Sequence, residues 1–282
     1  MAALKLKGTN AFKRSVNYDH LRLDHQSYLK KLNDVLVETA LAIQGMESVL
    51  EDVSSRLAKG QKTYNINVPN KLAKLIPIRR NLSALQVTLA EDAASNAYVR
   101  SIVFLITLAE DYIGSNLRRI LRAYPQKLMI STKGKKLGDT DQYVVEVRDL
   151  LTAASLDVVI ERLATQRVRD AIYASPEQYL AYLKAVCTID LQEQTWRAYV
   201  EIKATRDLFV HADGRVNEVY LAKAAQAARF ALGEKAVVDA AYFNAAASCV
   251  KALMSETYTG LRGKFANSAE LNRVFGAGPP SA

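Results

Sequence analysis

The sequence predicts an all-α protein, a helical bundle with a long N-terminal helical extension. Three observations carry that expectation. The 282 residues include only 12 Gly and 6 Pro, too few for the many tight turns of a β-sandwich or barrel. Hydrophobic residues make up 50% and charged residues 24%, the balance of a chain that buries a core. Apolar positions also recur at steps of three and four over most of the chain, the period of an amphipathic helix.

The elements follow in order. Leu29, Leu32, Leu36, Thr39, Ile43, Met46, Leu50, Val53 and Leu57 form a heptad stripe that ends at Lys59-Gly60, a basic residue and a stop signal. One helix from Leu21 to Lys59 is expected, packed against another helix of this chain or of a second copy. QKTYNINVPNK then reads as a linker in which Tyr64, Ile66 and Val68 alternate as a short strand would. From Pro77 to Tyr124 the pattern is helical, interrupted near Asp92 to Ser95. Its second half carries Val99, Ile102, Ile106, Ile113, Leu117 and Ile120, the broad apolar face of a central core helix, and Pro125 closes it.

Lys127 to Asp141 reads as a loop, with helical patterning again over Tyr143–Thr152 and Leu156–Tyr173. Ser175-Pro176-Glu177-Gln178 is a helix start, with Ser as N-cap, Pro at the first helical position and Gln completing a capping box; that helix runs to Cys187. Asp190 with Glu193 is expected to start the next, which passes Trp196, Tyr199 and Leu208, reaches His211 and stops at Gly214. Helices over Val216–Ala231 and Glu234–Tyr258 complete the chain. The expected division is an extension over residues 1–90, a bundle over 91–275 and a disordered tail over 276–282.

Lys and Arg number 38 against 29 Asp and Glu, a net +9 that suits a polyanionic partner, nucleic acid above all, or simply a soluble protein with a basic surface. The 2 cysteines, Cys187 and Cys249, lack the CxxC spacing of a zinc site or redox pair. The start MAALKLKGTNAFKR lacks a signal peptide's apolar stretch, and the longest apolar run, Ile102 to Leu108, falls far short of a membrane span. A cytoplasmic protein without membrane contact is expected.

Most catalytic motifs are missing: no GxxxxGK[ST], HExxH, GxSxG or GxGxxG occurs. With 3 histidines a metal cage within one chain is not expected, nor is a cofactor. His20 and His25 flank the first helix and read as surface residues. Lys133, Lys135 and Lys136 in the glycine-containing loop, and Arg118, Arg119 and Arg122 on the core helix, are candidate phosphate contacts or solvated basic faces. Glu110 or Asp111 could line a cleft, or neutralise neighbouring Arg.

His211 has a different setting, Arg206-Asp207-Leu208-Phe209-Val210-His211-Ala212-Asp213-Gly214. Asp207 and His211 lie about 40° apart on a helical wheel, so the carboxylate can reach the imidazole. Arg206 and His211 lie about 140° apart, and converge on one ligand only if the helix frays or a second subunit completes the site. An adjustable acid/base imidazole, a carboxylate to orient it and a permanent guanidinium charge are the parts that phosphodiester cleavage by 2′-hydroxyl attack requires. A His at the helix C-terminus that only caps would look the same.

The segment from Trp196 to Leu221, with Arg206, Asp207 and His211 followed by HADGRVNEVYL, resembles the signature of the HEPN superfamily (higher eukaryotes and prokaryotes nucleotide-binding domains). The capped helix from Ser175 and the core helix before Pro125 are similar to that family's layout, over roughly residues 91–260. The resemblance implies a metal-independent RNA endonuclease, a toxin or antiviral-defence effector, with an antitoxin or defence-system partner protein. It implies a homodimer whose paired signature helices form one composite cleft. Arg206 would stabilise phosphate charge, His211 act as acid or base, and Asp207 orient or polarise. The implied products are a 2′,3′-cyclic phosphate and a 5′-hydroxyl. Some members of the family instead serve as non-catalytic modules for RNA binding or partner assembly.

Overall fold

A computed structural model describes residues 19–131 and 151–277. The fold is all-α apart from one small two-stranded sheet. Helix α1 (His20–Ala58) is capped by the Asp19 side chain on Arg22 N. A hairpin of β1 (Thr63–Pro69) and β2 (Leu75–Asn81) follows. Helix α2 (Leu82–Glu91), a π turn (Asp92–Asn96) and α3 (Ala97–Ala123) then run on as one helical stretch. After a 3-10 turn at Pro125–Met129 come α4 (Leu156–Ile172), α5 (Pro176–Cys187), α6 (Glu193–His211), α7 (Glu218–Ala224), α8 (Ala240–Phe265) and α9 (Ala269–Ala277).

Helix α3 is the axle of the bundle and packs against α1, α4, α5, α6, α8 and α9. Its Ile102, Leu105, Ile106, Ile113, Leu117 and Ile120 are sealed from solvent, as the broad apolar face predicts. Leu21, Tyr28 and Leu32 of α1 belong to that same core. Tyr28 Oη donates to Asp111 Oδ2 at 2.5 Å, Thr39 Oγ1 to Ser101 Oγ at 2.6 Å, and Arg119 pairs with Asp24 at 2.8 Å. The first half of α1 is therefore part of the bundle, and the expected boundary at residue 90 falls inside the continuous run from α2 to α3.

The heptad stripe finds its partner within the chain. Thr39 and Val53 are buried, with Ile43, Met46 and Leu50 half-buried between them, on the side of α1 that meets α2 and α3. Beyond Thr39 the molecule narrows to an antiparallel arm of α1 and α2, with Val53 and Leu82 fully buried and the hairpin at its tip.

Several expectations need correction. Pro77 lies in β2, paired with Asn67, so the helix begins at Leu82 rather than at Pro77. A proline is tolerated there because both strands are edges. His25 is buried, not a surface residue: its ring stacks on Tyr258 at 4.5 Å. Asp190 does not cap α6; it is exposed and pairs with Lys184, while Glu256 of α8 accepts from Gln192 N and Thr195 Oγ1 at that helix start. The helix expected over Val216–Ala231 is shorter, because Ala225 leaves helical geometry with φ 45° and ψ −120°. The stretch from Ala228 to Asp239 is irregular around Gly233, with Arg215 bridged to Lys235. The capping box at Ser175 and the stop at Pro125 stand as expected. Most of the helix expected over Tyr143–Thr152 lies outside the described residues, as do Lys133, Lys135, Lys136 and the tail beyond Ala277.

Candidate active-site cleft

The C-terminal half of α6 is held by a buried carboxylate. Glu201 accepts from Thr205 Oγ1 at 2.7 Å, from Tyr220 Oη of α7 at 3.0 Å and from Tyr242 Oη of α8 at 2.7 Å. Three hydroxyls satisfy a charge that would otherwise be costly to bury, and they tie α6 to both neighbours. At the end of α6 the Gly214 amide returns to the Leu208 carbonyl at 3.0 Å, and Asp213 and Gly214 are both left-handed. Only glycine fits at residue 214, since a Cβ would stand 2.8 Å from the Phe209 ring. This exit fixes His211 as the last helical residue.

Arg206, Asp207 and His211 line one cleft of about 370 Å³, together with Glu110 of α3, Lys203 of α6 and Lys223 of α7. The helix does not fray at His211, so the angle of about 140° to Arg206 remains. The cleft runs along one face of α6 from Trp196 to His211 and is wide enough for Arg206 and His211 both to line it.

The charged groups form a chain. Lys203 Nζ lies 2.7 Å from Glu110 Oε1, and Arg206 Nη2 donates to Glu110 Oε2 at 2.9 Å. Arg206 Nη1 lies 3.3 Å from Asp207 Oδ1, and Lys223 Nζ donates to Asp207 Oδ2 at 3.1 Å. Three cations alternate with two anions, which leaves a net positive cleft beside His211. Among the described residues no hydrogen bond or ion pair joins Asp207 to His211. The expected orienting contact is replaced by the two cations, which compete for the same carboxylate.

Arg206 Nε is buried without a hydrogen-bond partner, as are the hydroxyls of Tyr179 and Tyr199 in the same wall. Burial raises the pKa of both phenols, reinforced at Tyr179 by the Glu110 charge and at Tyr199 by Tyr179 and Glu110. Both therefore stay protonated and neutral, and each hydroxyl can donate to a ligand or accept from one. A more apolar groove of about 520 Å³ continues from the cleft past Trp196 and Val200, between α5, α6 and α7. Among the described residues no three His, Cys, Asp or Glu side chains are grouped as metal ligands would be, and no helix is long and apolar enough to cross a membrane.

Of the other candidates, Glu110 joins the cleft but Asp111 does not; it accepts from Tyr28 instead. Arg119 is engaged by Asp24 and lies over the Phe275 ring, and Arg122 pairs with Glu161 at 2.8 Å. Arg118 is half-buried, with its Nε sealed from solvent. Arg119 and Arg122 thus brace the bundle against acids of α1 and α4 instead of presenting a basic face. Sequence reasoning missed Lys203 and Lys223. Lys203 was accessible in principle, one helical turn before Arg206 and Asp207, whereas Lys223 reaches the cleft only through the α6–α7 turn.

No protein-family model matches the chain, and no curated protein or solved structure matches it either.

Proposed function

We propose that the protein is a metal-independent RNA endonuclease, with Arg206 and His211 as its central groups. The supporting observation is that Arg206, Asp207 and His211, singled out by sequence, share one cleft with Lys203 and Lys223. His211 takes the proton of the ribose 2′-hydroxyl as its oxygen attacks phosphorus. The P–O5′ bond breaks, and the leaving oxygen takes up a proton, giving a 2′,3′-cyclic phosphate and a 5′-hydroxyl. Arg206 and the two lysines offset charge on the phosphorane oxygens. Asp207 acts on the cations, holding Arg206 and Lys223 in place, and Glu110 does the same for Lys203 and Arg206. The adjoining apolar groove has room for a base next to the cut.

One chain offers a single imidazole to the cleft, while the reaction needs a proton acceptor and a donor. A two-fold homodimer that joins two α6 ends would supply the second, which light scattering of the free protein checks. The direct experiment is cleavage of labelled RNA in EDTA by wild type, Arg206→Ala and His211→Ala. Cleavage by wild type alone supports the reading; loss in EDTA, or normal cleavage by both variants, overturns it. Growth arrest on expression that disappears in His211→Ala would extend the reading to a toxin or defence effector.

A further inference from the structure

The cleft accounts for little of the chain's positive charge. Residues 53–90 contain 7 Lys and Arg and no Asp or Glu, so this segment carries +7 of the net +9. Arg56 is paired with Asp52 and lies over the Tyr64 ring. The other six, Lys59, Lys62, Lys71, Lys74, Arg79 and Arg80, are exposed and make no ion pair with any described residue. All are on the hairpin or at its base.

The register separates two faces. Thr63, Asn65 and Asn67 stand beside Asn81, Arg79 and Pro77 on the side that is open throughout. Tyr64, Ile66 and Val68 stand beside Arg80, Ile78 and Ile76 on the other, where β1 is half-buried. At the turn Asn70 Oδ1 accepts from the amides of Leu72 at 2.9 Å and Lys74 at 3.0 Å. That clamp fixes the loop that carries Lys71 and Lys74. The open face thus offers the side-chain amides of Asn65 and Asn67 and a guanidinium, with Asn81 engaged as the N-cap of α2, lysines at both ends and no carboxylate to repel an anion. Cations for phosphates and amides for bases and sugars are the chemistry of a nucleic-acid contact. Exposed Leu72 and Leu75 beside them give apolar surface for base faces.

We propose that the β1–β2 hairpin is an RNA-binding arm, a second contact remote from the cleft. The polyanion chemistry stands on the hairpin alone; the choice of RNA rests on the ribonuclease reading. Tyr28 on α1 is bonded to Asp111, level with Glu110, and the helix from there to Ala58 extends about 45 Å at 1.5 Å per residue. A long strand can be held at both points, which raises its effective concentration at the cleft, while a dinucleotide can occupy only one.

The test uses the full chain carrying His211→Ala, so that RNA survives, and fluorescence anisotropy of a labelled single-stranded RNA of about 30 nucleotides. At roughly 3.4 Å or more per nucleotide, such a strand exceeds the span. Replacing Lys71, Lys74, Arg79 and Arg80 together by Gln is expected to weaken binding at least about tenfold, and to flatten the salt dependence by about 0.7 log units per lost phosphate contact. A comparison variant with Lys31, Lys251, Lys264 and Arg273 replaced by Gln loses the same charge elsewhere and should bind within about twofold of its parent. In chains that retain His211, cleavage of a dinucleotide should be unaffected by the hairpin changes. If the fourfold variant fails to fold, Lys71→Gln with Lys74→Gln at the turn should give about half the loss on a logarithmic scale. Unchanged affinity and salt slope, or equal weakening by the comparison variant, overturns the proposal. So does hairpin-dependent capture by phosphatidylserine vesicles without RNA binding, which would make the hairpin a membrane contact. Hairpin-dependent RNA binding with no cleavage by wild type would leave the arm standing and remove the nuclease.

Discussion

In the cleft, Glu110 and Asp207 thread between Lys203, Arg206 and Lys223, and each carboxylate touches two cations. At the tip of the arm, six exposed cations meet no carboxylate of any described residue. The first arrangement is partly buried and fixed in geometry, so it can act on one phosphate at one place. The second is solvated, and its attraction for a polyanion is long-ranged and screened by salt. One molecule thus separates where charge is precise from where it is plentiful. On the proposed reading, position, more than charge count, divides chemistry from capture.

The largest expected effect breaks the two apart. Arg206→Ala and His211→Ala should each lower RNA cleavage by about 10²–10⁴-fold. Affinity for a long RNA should fall far less than cleavage, because the arm's contacts are untouched. Single-turnover cleavage and anisotropy on the same samples measure both. A fall in affinity as large as the fall in cleavage would mean that the cleft, and not the arm, does most of the holding.

The depth of core beneath the two regions differs too. Gly260 of α8 lets the chain at Ile189 approach closely: a Cβ there would stand 2.7 Å from Ile189 Cγ2 and 2.9 Å from Cβ. Gly260→Ala should therefore cost about 1–3 kcal/mol, read as a lower urea midpoint, through overpacking of the bundle. Ser83→Ala on the exposed side of the arm should move that midpoint by no more than about 0.5 kcal/mol.

A smaller effect probes the ion chain. Among the described residues, Glu110→Gln leaves Lys203 without a carboxylate partner and Arg206 with Asp207 alone. These side chains are 17–21% exposed, so the expected cost is about 1–2 kcal/mol, below that of a fully buried pair. Inorganic phosphate should raise the melting temperature of the variant more than that of wild type, since an anion replaces the missing carboxylate. Equal shifts would count against an anion site in the cleft.

How much of this was legible in the sequence depended on how local the cause was. The capping box at Ser175 and the stop at Pro125 are written in neighbouring residues, and each lies where the pattern puts it, while the interruption expected near Asp92 is a π turn inside a continuous helical stretch. The heptad stripe announced a packed face without naming its partner, because a stripe records burial and not what covers it. Glu256 at the start of α6 and Lys223 in the cleft come from other helices, so local spacing could not supply them. The basic hairpin was hidden differently. Its charges are spread over residues 53–90 without a run, and only the pairing of β1 with β2 gathers them on one arm.

His25 supplies a further small effect, at the seat of α1 within the bundle. It is 7% exposed, stacked on Tyr258 of α8, with Nδ1 3.4 Å from the Tyr112 hydroxyl of α3. Burial lowers its pKa from 6.5, opposed by the Asp24 carboxylate, which itself pairs with Arg119. The unfolded chain therefore takes up a proton at higher pH than the folded one. The stability associated with neutral His25 is complete above about pH 6.5 and is lost as pH falls from there through the lowered folded value. His25→Phe keeps a ring against Tyr258 but leaves the Tyr112 hydroxyl without its imidazole partner, so it should cost about 1 kcal/mol at neutral pH. Below neutrality the gap to wild type should narrow, because the variant has no proton to gain at that site. Thermal melts of both proteins between about pH 5.5 and 7.5 measure this gap; a constant gap would mean that acid does not act on the seat of α1 through His25.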